Sequence, residues 1–156
     1  MPMKIRSAKI QDVKAIHALI SYYAELDRML FRPIADIYEN LQTFSVVELN
    51  GSVIGCCALE IIWSDLAEIK SLAVDKDQTG KGVGRLLVTT AVEQARELGV
   101  SQVFALTLDF AFFEKLGFRK SEMDALPMKV WSDCARCPKQ QNCDEIAVIK
   151  SVSRIS

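Results

Sequence analysis

Gly80, Gly82 and Gly84 alternate behind the strand-like run at 66–74 and a short polar loop, directly ahead of a segment with helical periodicity. That order predicts a strand, a tight turn and a helix N-terminus in immediate succession, and it constrains the chain more than any other feature. The first amides of a helix have no acceptor inside it, and glycine lets an anion come up against them. A phosphate cradle is the functional expectation. A glycine-rich turn that binds nothing is the plain alternative.

Two familiar phosphate loops do not fit. A Walker-type loop needs Gly, four residues, then Gly-Lys-Ser/Thr. Lys81 instead sits between two glycines, with no Ser or Thr after it. A dinucleotide fingerprint, Gly-x-Gly-x-x-Gly, counted from Gly80 would put its third glycine at Arg85. Both readings fail on spacing.

At 156 residues the chain is long enough for one domain with a substantial core, and the expected organisation is a single domain over 1–156. Lys and Arg total 19 against 20 Asp and Glu, a net charge of −1, which argues against a nucleic-acid partner. No apolar run reaches the roughly 20 residues that span a bilayer, so no membrane partner is expected either. The segment Met1-Pro2-Met3-Lys4-Ile5-Arg6 lacks the apolar core of a secretory signal, and the expected location is the cytoplasm.

Periodicity divides the chain into alternating elements. Residues 4–8 predict a strand, and Asp12 opens a helical pattern carried by Val13, Ile16, Leu19 and Ile20. A short helix is expected over 35–41. Strands over 44–49 and 53–63 meet at Asn50-Gly51, a strong hairpin signal, and 67–74 supplies another strand. A helix over 82–98 stops at Gly99, a strand follows over 102–107, and a compact helix over 110–116 stops at Gly117. Residues 146–149 suit a last strand. These elements predict an α/β domain with a mixed central sheet flanked by helices.

The loop and its surroundings resemble the GNAT acetyltransferases, whose Gln/Arg-x-x-Gly-x-Gly/Ala pattern falls on Thr79, Gly82 and Gly84. Thr79 departs from the pattern, with Gln78 just before it. A second landmark of that family, an aromatic-Glu-Lys-x-Gly-Phe box, falls on 113–118, from Phe113 to Phe118. The resemblance implies the GNAT acyl-CoA N-acyltransferase fold and acetyl-CoA as co-substrate, with no metal required. It implies that the amides of Thr79, Gly80, Lys81, Gly82, Val83, Gly84 and Arg85 grip the CoA pyrophosphate. It also implies that main-chain groups of Leu72, Ala73 and Val74 bond the pantetheine like an added strand.

Segments 30–32, 38–40, 65–74, 103–107 and 126–131 narrow the resemblance to the short stand-alone N-acetylglutamate synthases of arginine biosynthesis. The acceptor implied is L-glutamate, a small molecule, and relatives often pair, which leaves a homodimer open. Another small amine or a peptide N-terminus is the runner-up acceptor. A non-catalytic acyl-CoA-binding sensor is the reading from a different class.

The chemistry narrows the residues. A protonated amine cannot attack a thioester, so a base must first take its proton. Glu68 is the candidate, in agreement with the resemblance; otherwise it only pairs with a cation across the strand. Ser71 would present its backbone N–H to the thioester carbonyl. The acid for the leaving thiolate stays unassigned, because Phe113 occupies the place where many relatives carry a tyrosine, and nothing selects among Tyr22, Tyr23 and Tyr38. Glutamate's carboxylates call for cations, ideally a bidentate arginine. Arg32 fits and matches a glutamate-holding arginine of the family; Lys70 and Lys129 are further candidates, or else solvated lysines.

A cysteine-bearing segment at about 126–145 carries Cys134-x-x-Cys137 and then Cys143. The spacing is metal-like, but no fourth ligand is assured, so free thiols are expected ahead of a metal or a disulfide. Of Cys56 and Cys57, one is expected to face the core. His17 is expected on a helix surface, and Trp63 and Trp131 in packing or else at the border of the substrate cleft.

Overall fold

The computed structural model describes residues 2–121 and 146–152. Among them the elements run β1 (Lys4–Ser7), α1 (Val13–Glu25), α2 (Ile34–Glu39), β2 (Phe44–Leu49), β3 (Ser52–Trp63) and β4 (Leu66–Val74). They continue as α3 (Val83–Leu98), β5 (Gln102–Thr107), α4 (Phe110–Lys115), β6 (Arg119–Ser121) and β7 (Ile146–Ser151). The strands form a mixed seven-stranded sheet in the order β1-β2-β3-β4-β5-β7-β6, flanked by helices, in the α/β class expected. No described helix is long and apolar enough to cross a membrane. The chain divides into two compact units, Met1–Leu59 with Ile69–Ala91 and Glu60–Glu68 with Val92–Ser156.

In the first unit, α1 lays Val13, Ile16 and Ile20 along one stripe, and all three are fully buried. They pack with Ile37 of α2, Phe44 and Val46 of β2, Cys56 and Ala58 of β3, and Ala73 of β4. Asp12 does precede α1, but its side chain caps none of that helix's amides. Its carboxylate accepts instead from Arg6 Nη1 at 2.7 Å, Arg6 Nη2 at 3.0 Å and the Lys9 amide at 2.7 Å. Arg6 also donates through Nε to Glu48 at 2.9 Å. One guanidinium thus ties the start of α1 to β1 and β2. It holds the buried Asp12 carboxyl below the usual carboxylate range.

Strands β2 and β3 form the expected hairpin. Asn50 and Gly51 take φ of +54° and +80°, the paired left-handed residues that a two-residue turn requires. Within β3, Gly55 is required by close approach. A Cβ there would lie 2.7 Å from Val83 Cγ1 and 3.1 Å from Leu87 Cδ1, so the first turns of α3 rest directly on that strand. Cys56 and Cys57 are both buried, not one alone as expected. Adjacent strand residues point to opposite faces, so β3 is covered on both sides at this point.

In the second unit β5 pairs antiparallel with β7, from Gln102 opposite Ser151 to Thr107 opposite Ile146. The β6 strand pairs with β7 at Arg119 opposite Ile149. Sequence reading did not foresee β6, which at three residues is too short to show alternation. Leu66, Phe104, Ala147 and Ile149 make the core here, with Ile62 and Leu106 packed against them. Trp63 does not pack as expected: it stands 68% exposed. Trp131 lies outside the described residues.

Candidate active site

The glycine loop is built as the spacing predicts. Asp75 donates its amide to the Ile54 carbonyl at 2.8 Å, which fastens the end of β4 to β3. Its carboxylate accepts the Asp77 amide at 2.9 Å and caps a single 3-10 turn over Lys76–Gln78. Gly80 and Gly82 then take φ of +78° and +86°. A Cβ at either would meet nothing within 4 Å, so the dihedral, not crowding, demands glycine there. That open space is what a group seated on the amides needs.

The first bond of α3 runs from the Leu86 amide to the Gly82 carbonyl at 3.0 Å. The amides of Val83, Gly84 and Arg85 therefore precede the helix's internal ladder. Thr79 turns its hydroxyl back onto the Lys76 carbonyl at 3.3 Å, and Lys81 donates to Gln78 Oε1 at 3.2 Å. Both side chains brace the loop from within, Thr79 included where the family pattern has Gln or Arg.

Strand β4 carries the second feature. Ser71 adopts φ +55° between extended residues, a conformation uncommon for any side chain other than glycine's. A left-handed residue turns its peptide groups out of line with the strand. Ser71 is gripped from two sides: Cys56 Sγ donates to its carbonyl at 3.5 Å, and Arg32 Nη1 donates to its Oγ at 3.1 Å. Burial pushes the Cys56 thiol up to about 12, so it stays protonated as that donor.

Arg32 precedes Pro33 in the connection to α2 and is only 9% exposed. Its Nε donates to Asp36 Oδ2 at 2.5 Å, and the guanidinium carbon lies 5.2 Å from the centre of the Phe44 ring. Asn40 holds Asp36 in turn, donating Nδ2 to Oδ1 at 2.8 Å and to the Asp36 carbonyl at 2.9 Å. The structure thus joins two of the residues singled out in the sequence, Arg32 and Ser71, and adds Asp36 and Asn40. The four-residue spacing of Arg32 and Asp36 was visible, but Pro33 argued against any helix reaching back to the arginine.

Glu68 lies on β4 in the second unit and is 4% exposed, a rare depth for a carboxylate. Lys70, two residues on, is half-buried. Of the main-chain groups at 72–74, the Val74 carbonyl accepts the Tyr23 hydroxyl. Burial raises the Tyr23 phenol above its ordinary range, so this hydroxyl is a donor. Tyr38 is exposed, and Phe113 is buried, with ring centres of Phe112 and Phe118 each 5.1 Å away. His17 stacks edge-on against Phe31. Lys129, Cys134, Cys137 and Cys143 lie outside the described residues. Among the described residues no group of three His, Cys, Asp or Glu is placed to hold a metal ion.

Residues 10–118 match the model of the acetyltransferase (GNAT) family. The chain is 43% identical over 148 residues to an uncharacterized N-acetyltransferase of Chlorobaculum tepidum, covering 95% of this chain and 96% of that protein. It is 38% identical over 135 residues to the amino-acid acetyltransferase of Mycobacterium tuberculosis, covering 85% and 77% respectively. Among solved structures it resembles N-acetylglutamate synthase from Neisseria gonorrhoeae, complexed with coenzyme A and N-acetyl-glutamate. The TM-score is 0.89 at 28% identity, over 99% of this chain and 36% of that longer one.

Proposed function

The chain belongs to the GNAT acetyltransferase family, an acetyl-CoA-dependent enzyme, and from that premise we propose that it acetylates the α-amine of L-glutamate. The observation that carries the acceptor is the buried guanidinium of Arg32, fixed at 3.1 Å from the left-handed strand residue Ser71. A guanidinium held in one orientation by Asp36 and Ser71 beside the distorted strand suits the planar carboxylate of an amino acid, which brings its amine with it. The names of the relatives support the same class of acceptor.

In this reading the amides at 79–85 hold the CoA pyrophosphate, and the main chain at 72–74 holds the pantetheine. Arg32 anchors a glutamate carboxylate, with Lys70 and Lys129 as further cationic partners. Glu68 takes a proton from the ammonium, and the freed nitrogen attacks the acetyl carbonyl carbon. The C–N bond forms first and opens the carbonyl to a tetrahedral oxyanion that the Ser71 N–H stabilises, and its collapse breaks the C–S bond. The nitrogen gives up its second proton to solvent as the amide forms, CoA leaves as the thiolate and takes a proton from solvent, and Glu68 returns its own to solvent. Transfer is direct, without an acyl-enzyme, and the product would enter arginine biosynthesis.

The test is steady-state release of CoA thiol from acetyl-CoA with each of the twenty amino acids and a short peptide. Glutamate is expected to give the highest kcat/KM. Greater release with another amine would replace the acceptor, and CoA binding without turnover would make the chain a sensor.

A further inference from the structure

We propose that Asp36 and Asn40 are positioning residues that set Arg32 on Ser71, making the acceptor's carboxylate anchor and the distorted strand residue one preorganised unit. The inference rests on the reading of Arg32 as that anchor. It concerns residues four and eight places beyond it, which have no role in the chemistry.

A free arginine side chain samples many rotamers, and ordering it on binding costs conformational entropy. Here the cost is met on folding. Asp36 Oδ2 takes Nε at 2.5 Å, Ser71 Oγ takes Nη1 at 3.1 Å, and Phe44 lies beneath the guanidinium plane. Asp36 is itself held. Asn40 donates to its Oδ1 at 2.8 Å and its carbonyl at 2.9 Å, while the Asn40 carbonyl accepts both the amide and hydroxyl of Thr43. The series Thr43, Asn40, Asp36, Arg32, Ser71 runs from the turn before β2 through α2 to β4, each link a hydrogen bond.

Asp36 has a second effect of opposite sign, because its charge offsets that of Arg32 and weakens the pull on an anion. Its side chain is 37% exposed, so water screens this term, and the geometric one prevails. Asn40 separates the two effects, since replacing it alters the geometry and no charge.

The experiment measures KM for the amino acid the wild type uses best and for acetyl-CoA, in Asp36→Ala, Asn40→Ala, Arg32→Ala and the Arg32→Ala/Asp36→Ala double variant. Thermal melting of each reports folding. Asp36→Ala is expected to raise the amino-acid KM about tenfold and Asn40→Ala about threefold, with the acetyl-CoA KM unchanged. In the Arg32→Ala background, Asp36→Ala adds no further rise, because no guanidinium is left to hold.

Amino-acid KM values that do not rise, or a fall in Asp36→Ala with none in Asn40→Ala, would overturn the proposal. So would a loss that adds fully in the double variant, or one that moves both KM values with the melting temperature. A wild type that prefers another amino acid leaves the test intact and removes only the glutamate reading. A wild type that acetylates only amines without a carboxylate overturns both.

Discussion

Arg32 and Ser71 are 39 residues apart in the chain, yet Arg32 Nη1 donates to Ser71 Oγ at 3.1 Å, and Ser71 holds φ +55° where it does so. The two residue types make separable demands on position 71. The backbone asks for a residue that tolerates the left-handed region, and Arg32 asks for an acceptor. Ser71→Gly is expected to keep the melting temperature and raise the glutamate KM. Ser71→Val, β-branched and without an acceptor, is expected to lose about 1–2 kcal/mol of stability besides. Melting curves and kinetics on the two variants check this; equal melting temperatures would remove the strain argument.

Arg32→Ala is expected to raise the glutamate KM at least tenfold and leave the acetyl-CoA KM in place, since a charged hydrogen-bond partner is lost from one substrate only. Steady-state kinetics with each substrate varied in turn measure it. An unchanged glutamate KM would sink the anchoring role.

Glu68→Gln preserves shape and removes the proton acceptor. Turnover is expected to fall by about 10²–10⁴, the usual contribution of a positioned base, with acetyl-CoA affinity held. Calorimetric CoA titration beside a turnover assay separates the two, and near-normal turnover would rule Glu68 out as the base.

Gly82 and Gly51 allow a matched comparison. Both take a left-handed φ, +86° and +80°, and a Cβ at either meets nothing within 4 Å. Gly82→Val and Gly51→Val are therefore expected to lower stability alike, by about 1–2 kcal/mol. Only Gly82→Val should weaken acetyl-CoA, by about tenfold or more, if the amides at 79–85 hold the pyrophosphate as proposed. Matching acetyl-CoA KM values for the two variants would contradict the loop assignment.

Asp12 sets a pH dependence of stability. Its carboxyl is held below the usual range, chiefly by the hydrogen bonds from Arg6, so at acid pH the unfolded chain binds the proton more readily than the folded one. The stabilisation is present above the ordinary aspartate value of about 3.9 and is lost as pH falls below it towards the folded value. Asp12→Asn is expected to cost about 1–3 kcal/mol near pH 7 through the weakened hydrogen bonds from Arg6, which keeps Glu48, and to flatten the acid limb. Melting temperatures from pH 7 down to pH 3 would show the gap between wild type and variant narrowing; a constant gap would deny the pair its role.

Much of the fold was legible locally. The stripe of Val13, Ile16 and Ile20 on α1 is buried as its spacing predicts, and Asn50-Gly51 makes its hairpin. Helices α3 and α4 end at Gly99 and Gly117, both with positive φ. These features depend on residues within one or two turns of each other. Trp63 and the cysteine pair read differently in the structure, and Asp12, which precedes α1 as expected, finds a partner that the sequence did not name. The partner of Asp12 comes from β1, the exposure of Trp63 from where β3 runs out, and the burial of both Cys56 and Cys57 from cover on two faces.

By itself the sequence determined the order of strands and helices and the loop at 79–85, because periodicity, glycine dihedrals and free helix amides are properties of adjacent residues. Only the tertiary structure decided that Ser71 would leave the extended region, and that Arg32 would meet its hydroxyl with Asp36 and Asn40 behind. Strand register and the packing of α2 set those contacts, and neither leaves a local trace. The glycine loop is written in consecutive residues; the contact of Arg32 with Ser71 exists only once distant ones are brought together.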